Sequence, residues 1–240
     1  MKKIIFFDTE TTGNTDKDFL CQIAYKTGTD TFNSLYKPPI KIPPEASAVH
    51  HITNKMLDDK PVFSESKDYL KVKNIFEGED AVAVAHNAQF DITMLKKENI
   101  NPKNFICTLR LARYLDPEGK IEKYNLQYLR YLLEIEVEAT AHDALGDVLV
   151  LEKLFDRLIK KIMESENLNE EQAIEKMIEV SSHPSLLRVI NFGKYNGKEI
   201  SEIAKIDRGY LDWLLNQKLE SDQIDEDWIY TLKYYLGKLQ

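Results

Sequence analysis

Phe6-Phe7-Asp8-Thr9-Glu10-Thr11-Thr12-Gly13 sets two carboxylates one residue apart at the end of an apolar run. In an extended strand, residues i and i+2 share a face, so Asp8 and Glu10 stand side by side. Like charges that close repel unless a cation or a proton joins them. Hard oxygen donors suit Mg²⁺ or Mn²⁺. The pair carries little alone, because 18 Asp and 22 Glu in 240 residues give about 1.7 Asp-x-Glu matches by chance. A second segment, Ala85-His86-Asn87-Ala88-Gln89-Phe90-Asp91, places Asp91 in the first turn of an expected helix, where an acidic residue also serves the helix dipole. A third, Ala141-His142-Asp143-Ala144-Leu145-Gly146-Asp147, puts His142 five residues before Asp147 at the start of a long apolar helix. Asp147 lies among Leu145, Val148 and Leu149. A carboxylate buried there calls for a metal or a polar partner. Gly146 inside that helix costs about 1 kcal/mol relative to Ala, which points to close packing.

Together the segments supply four carboxylates, Asp8, Glu10, Asp91 and Asp147, and one imidazole, His142. Two divalent ions about 3.5–4 Å apart can clamp the attacking water and the leaving oxygen of a phosphodiester. An imidazole with an intrinsic pKa of about 6.5 can take the water proton near neutral pH. The 32 basic and 40 acidic side chains leave a net charge of −8. No broad basic field exists, so nucleic-acid binding would be local and cation-assisted.

The elements that must position these groups read as α/β. Lys3–Thr9, Phe19–Tyr25 and Thr31–Tyr36 are expected to form an antiparallel meander. Helical patterns run near Ala46–Leu57 and Ser64–Phe76. Ala81–Ala85 reads as a short buried strand, Asn87 as the cap of the helix after it, and Phe105–Leu109 as another strand. Long helical spacing covers Leu126–Leu133 and Leu145–Ile162. Strands first, then strands alternating with helices, argue a mixed sheet flanked by helices. Asn169 with Gln172 reads as a capping box opening a further helix. The domains are expected at 1–163, with a connecting helix at 164–182 and a small C-terminal α/β appendage at 183–240. In that appendage a hairpin near Gly193–Gly197 precedes helices, and Tyr210, Trp213 and Trp228 are expected to fill its core.

The three acidic segments, in this order and spacing, resemble the DEDDh family of 3′–5′ exonucleases. Ala46-Ser47-Ala48-Val49-His50-His51-Ile52-Thr53, Ile106-Cys107-Thr108-Leu109-Arg110-Leu111-Ala112-Arg113 and Phe192-Gly193-Lys194-Tyr195-Asn196-Gly197-Lys198 are similar to its exodeoxyribonuclease X branch. Asp207-Arg208-Gly209-Tyr210-Leu211-Asp212-Trp213-Leu214 extends the likeness into the tail. The resemblance implies an RNase H-like five-stranded sheet and two Mg²⁺ or Mn²⁺ ions. It also implies stepwise release of 5′-nucleoside monophosphates from DNA with a free 3′ end. Asp8, Glu10 and Asp147 would bind metal directly, Asp91 would hold the second ion, and His142 would be the general base. Thr9, Thr11 and Thr12 would lie beside the terminal nucleotide. His51 stands where many relatives have Gly, Cys107 where proofreading subunits often have Asp, and Arg208 where Pro is common.

Other residues carry ordinary readings beside functional ones. His50 is a loop histidine or a substrate contact. Asn87 is a helix cap or a nucleotide contact. Phe90 is core or a stacking surface for a base. The tail is open to DNA contact, internal packing or self-association into a homodimer. Its eight basic and nine acidic side chains form no basic stripe. The longest apolar runs fall far short of the roughly 20 residues of a membrane helix. Cys21 and Cys107 have no CxxC spacing and read as inert buried thiols. A cytoplasmic enzyme without membrane contact is therefore expected. An exoribonuclease with the same carboxylates is the nearest alternative. A non-catalytic nucleic-acid-binding or docking module is the alternative from another class.

Overall fold

The computed structural model describes residues 2–15, 17–137, 144–221 and 225–239. Five strands, β1 (Lys3–Thr11), β2 (Leu20–Thr27), β3 (Asp30–Leu35), β4 (Ala81–Ala85) and β5 (Asn104–Cys107), form one sheet in the order β3-β2-β1-β4-β5. β1 and β3 each pair antiparallel with β2, so the expected meander forms. β4 runs parallel to both β1 and β5. This is the mixed five-stranded sheet that the sequence predicts. All five residues of β4 are buried, as a strand with both faces covered requires.

The helices are α1 (Pro44–His50), α2 (Tyr69–Phe76), α3 (Ala88–Lys97), α4 (Thr108–Tyr114), α5 (Leu126–Leu132), α6 (Ala144–Glu166) and α7 (Glu170–Ser182). Alternation along β1 sorts its side chains onto two faces. Ile5 and Phe7 join a core with Val72 and Phe76 of α2 and Ile92 and Leu95 of α3. The Phe7 and Phe76 rings meet edge to face at 4.9 Å. Phe6 points the other way and meets Phe155 of α6 at 5.2 Å. The Lys26–Glu152 ion pair, 2.6 Å and mostly buried, ties β2 to the same helix.

Several boundaries differ from the sequence expectation. The segment 46–57 is one short helix and a 3-10 turn at Asn54–Leu57, because His51 takes a left-handed conformation (φ 62°) and stops α1. The next helical pattern likewise divides into a 3-10 turn at Phe63–Glu65 and α2. β5 ends at Cys107, and α4 begins where the strand was expected to continue. Asn87 occupies the cap position of α3 but at φ 64° and without a side-chain capping bond, so it turns the chain rather than capping it. The Asn169–Gln172 capping box does form, with reciprocal bonds of 2.9 and 3.0 Å.

The chain divides into two compact units, 1–115 with 123–182 and 116–122 with 183–240. Residues 164–182, expected as a connector, belong to the first unit. There Ser181 accepts from the Cys107 amide (2.8 Å) and its carbonyl accepts from Arg110 (2.7 Å). The second unit holds a two-stranded antiparallel ribbon, β6 (Val189–Ile190) and β7 (Lys198–Glu199), and helices α8 (Ile200–Ile206), α9 (Arg208–Glu220) and α10 (Glu226–Tyr235). Trp228 enters its core with Leu211, Leu214 and Leu215. Trp213 does not: it is 53% exposed, because helical spacing turns position 213 away from the face that buries those leucines. Among the described residues, no helix is long and apolar enough to cross a membrane. Both cysteines are free and buried. Burial pushes the Cys21 thiol up to about 12, with Glu10 adding to the shift.

His86, just past β4, fixes how the sheet end meets the chain ahead of α5. Its Nε2 lies 2.7 Å from the Tyr124 carbonyl, and its Nδ1 lies 2.9 Å from the Thr108 hydroxyl. A carbonyl only accepts, so Nε2 carries the proton and Nδ1 accepts from Thr108. Burial depresses the imidazole to about 4, the Tyr124 carbonyl opposing and Arg113 reinforcing the shift. The unfolded chain therefore binds the proton first as pH falls, and stability declines from about pH 6.5 toward pH 4. In thermal melts at pH 7 and pH 5, His86→Gln, which keeps a donor and an acceptor but cannot titrate, should lose less of its Tm than wild type. Equal losses would show that His86 is not the group responsible.

Candidate active site

Asp8 and Glu10 share the β1 face that carries Phe6, and that face looks onto α6. Asp147 sits in the first turn of α6 and is 8% exposed. One oxygen from each of Asp8, Glu10 and Asp147 lies within 4.8 Å of the others. Three such oxygens form a compact anionic donor set, which a hard divalent cation fits and which few neutral partners could relieve. Gly146 beside Asp147 is buried, consistent with the close packing its residue type implies. The pairing of β1 with β2 shifts register between Glu10 and Thr11. Such irregularities occur beside active sites, where they re-aim a side chain.

Asp91 is placed differently. It projects from the first turn of α3, the helix that packs on the core with Ile5 and Phe7. Its Oδ1 accepts from the Thr9 amide at 3.0 Å and the Thr9 hydroxyl at 2.6 Å. Thr9 alternates with Asp8 and Glu10 and so points to the other face of β1. Asp91 is not part of the three-oxygen set. Burial raises its carboxyl to about 7 despite the two bonds from Thr9. His142 lies outside the described residues.

The candidate substrate contacts are largely occupied by the protein itself. Thr9 is committed to Asp91. The Thr11 hydroxyl donates to the Gly13 carbonyl. Thr12, fully buried, donates to Asp18 at 2.8 Å and accepts from the Phe19 amide at 3.1 Å. His50 is 6% exposed: Nδ1 accepts from the Ile52 amide (3.0 Å), so Nε2 bears the proton and donates to the Thr11 carbonyl (3.2 Å). Burial lowers its pKa, the Thr11 carbonyl opposing. His50 thus holds the end of β1 in place. Asn87 is exposed at its left-handed turn. Phe90 is partly buried against the main core.

Two residues outside the sequence expectation shape the site. Asp18 accepts from Thr12, from the Thr15 amide and from the Thr15 hydroxyl, closing the loop after β1. Partial burial opposes ionisation, but these bonds and nearby Lys97 hold its carboxyl below the usual range. A Cβ on Gly13 would come within 2.6 Å of that carboxylate, so only glycine fits without moving it. Gln127 of α5 donates to Asp147 Oδ1 at 2.5 Å. The Gly after the acidic strand hints at the first arrangement. No spacing in the sequence links residue 127 to residue 147.

Comparison with known proteins agrees with this geometry. Residues 5–155 match a family model described as exonuclease, and residues 190–218 match one described as exodeoxyribonuclease X-like C-terminal. The chain is 34% identical over 203 residues to exodeoxyribonuclease 10 of Escherichia coli (strain K12), covering 84% of this chain and 83% of that one. It is 34% identical over 167 residues to the DNA polymerase III subunit epsilon of Treponema pallidum, covering 64% and 74%. A solved structure of exonuclease X in complex with 5′ overhanging duplex DNA superposes with a TM-score of 0.55 at 28% identity, over 75% of this chain and 99% of that chain. With a compact carboxylate set on an RNase H-like sheet and matches spanning most of its length, the chain belongs to the exonuclease family and is a 3′–5′ exonuclease.

Proposed function

We propose that the protein removes 5′-nucleoside monophosphates one at a time from DNA with a free 3′ end, using two Mg²⁺ or Mn²⁺ ions in a cytoplasmic setting. The convergence of Asp8, Glu10 and Asp147 oxygens within 4.8 Å carries the reading. The DNA assignment is supported by the 34% identity to an exodeoxyribonuclease. Asp8, Glu10 and Asp147 are the residues that would hold metal. Asp91 is assigned to the second ion, with Thr9 fixing its orientation. Bound divalent ions supply positive charge for the phosphate and for the developing oxyanions, which a protein of net charge −8 does not offer broadly.

The chain's own residues do the rest. β1 presents Asp8 and Glu10 on one face, while the His50–Thr11 and Asp18–Thr12 contacts hold the strand end and the loop beyond it. Fixing these acceptors before substrate arrives avoids reorganisation during the reaction. His142 is assigned the removal of the water proton. As a neutral imidazole it can accept that proton near pH 7 and loses the capacity once protonated.

EDTA should abolish degradation of a 3′-labelled DNA oligonucleotide, and added Mn²⁺ or Mg²⁺ should restore it. Asp8→Asn should lower kcat by about 10³-fold or more while leaving the thermal melt cooperative. Persistent turnover in either experiment would refute the metal-dependent reading. The rate should fall about tenfold per pH unit below about pH 6 as His142 protonates. A flat profile through that range would remove His142 from the role of base. On matched DNA and RNA oligonucleotides DNA should disappear faster, and the reverse order would assign the enzyme to RNA.

A further inference from the structure

Helix α5 makes a contact with the site that the reaction scheme does not use. Asn125 caps the helix by accepting from the Tyr128 amide at 2.9 Å, and Leu129 is buried beneath it. Gln127 therefore projects from an anchored first turn. Its Nε2 donates to Asp147 Oδ1 at 2.5 Å. One turn later, Arg130 Nη1 lies 3.5 Å from Gln127 Oε1, and Arg130 Nη2 donates to the Val137 carbonyl at 2.5 Å. A guanidinium only donates, so the amide oxygen faces Arg130 and the amide nitrogen must face the carboxylate.

We propose that Gln127 is a positioning residue that orients the Asp147 carboxylate toward Asp8 and Glu10, with Arg130 fixing the sense of the amide. The proposal rests on the reading of Asp147 as a metal ligand. A hydrogen bond to Oδ1 removes the rotational freedom of the carboxyl group, which sits in the first turn of α6. A neutral amide does this without adding charge. A lysine in its place would set an ammonium against the carboxylates and compete with the cation. Groups that hydrogen-bond to ligating carboxylates typically govern metal affinity by 10–100-fold. Through Val137 and Asp147 the same helix also holds the chain on either side of residues 138–143.

The test is Gln127→Met, which keeps length and volume but has no amide. Mn²⁺ binding to DNA-free protein is titrated by electron paramagnetic resonance, alongside steady-state kinetics. The Mn²⁺ dissociation constant should rise about tenfold or more. The KM for a DNA oligonucleotide should stay within about twofold, and saturating Mn²⁺ should recover most of kcat, a split that metal orientation predicts and general destabilisation does not. Should Gln127→Met fail to melt cooperatively, Gln127→Asn, whose amide is one carbon short of Asp147, is judged by the same readouts. An unchanged Mn²⁺ affinity in a folded variant overturns the role of Gln127 alone. Wild-type protein that takes up no Mn²⁺, or an Asp147→Asn variant with unaltered uptake, overturns the metal reading and this proposal with it.

Discussion

Repulsion among three carboxylates held within 4.8 Å is the constraint around which the first unit is organised. Carboxylates that close repel one another and favour a shared proton or cation. They stay together because each is fixed by an element that has other reasons to be where it is. Asp8 and Glu10 continue a strand whose Phe6 packs on Phe155, and Asp147 opens the helix that carries Phe155. The Lys26–Glu152 pair ties the neighbouring strand to that helix. Apolar packing and one mostly buried ion pair thus help to hold these carboxylates close to one another.

The period of the strand decides which acids can meet. Asp8 and Glu10 look toward α6, while Thr9 looks toward α3 and binds Asp91. Thr9 thereby fixes one oxygen of Asp91, and burial raises that carboxyl above the usual carboxylate range. His50 and Asp18 act in the same spirit at the strand's end, one on the Thr11 carbonyl and the other on the Thr12 hydroxyl. Thr9, Thr11, Thr12 and His50, which the resemblance or the sequence offers as substrate contacts, all make hydrogen bonds within the protein.

Alternation and helical spacing made much of this legible in advance. Ala81–Ala85 reads as a buried strand because nothing in it could face water, and it is one. The pairing of Asp8 with Glu10 follows from a two-residue period, and the approach of Asp147 from its place among apolar helix residues. What stayed hidden depends on partners distant in sequence. His51 breaks a helix whose local pattern continues, where His50 is engaged by Thr11. Asn87 has a capping side chain but sits in a left-handed turn that cannot cap. Trp213 has the residue type of a core but the wrong helical phase. Gln127 reaches Asp147 across 20 residues, and no periodicity joins them.

The most direct measurement is an anomalous difference map from crystals soaked in Mn²⁺. The account predicts a peak about 2.0–2.2 Å from carboxylate oxygens of Asp8, Glu10 and Asp147. A map with no peak there, or with those three side chains turned away from one another, would contradict it.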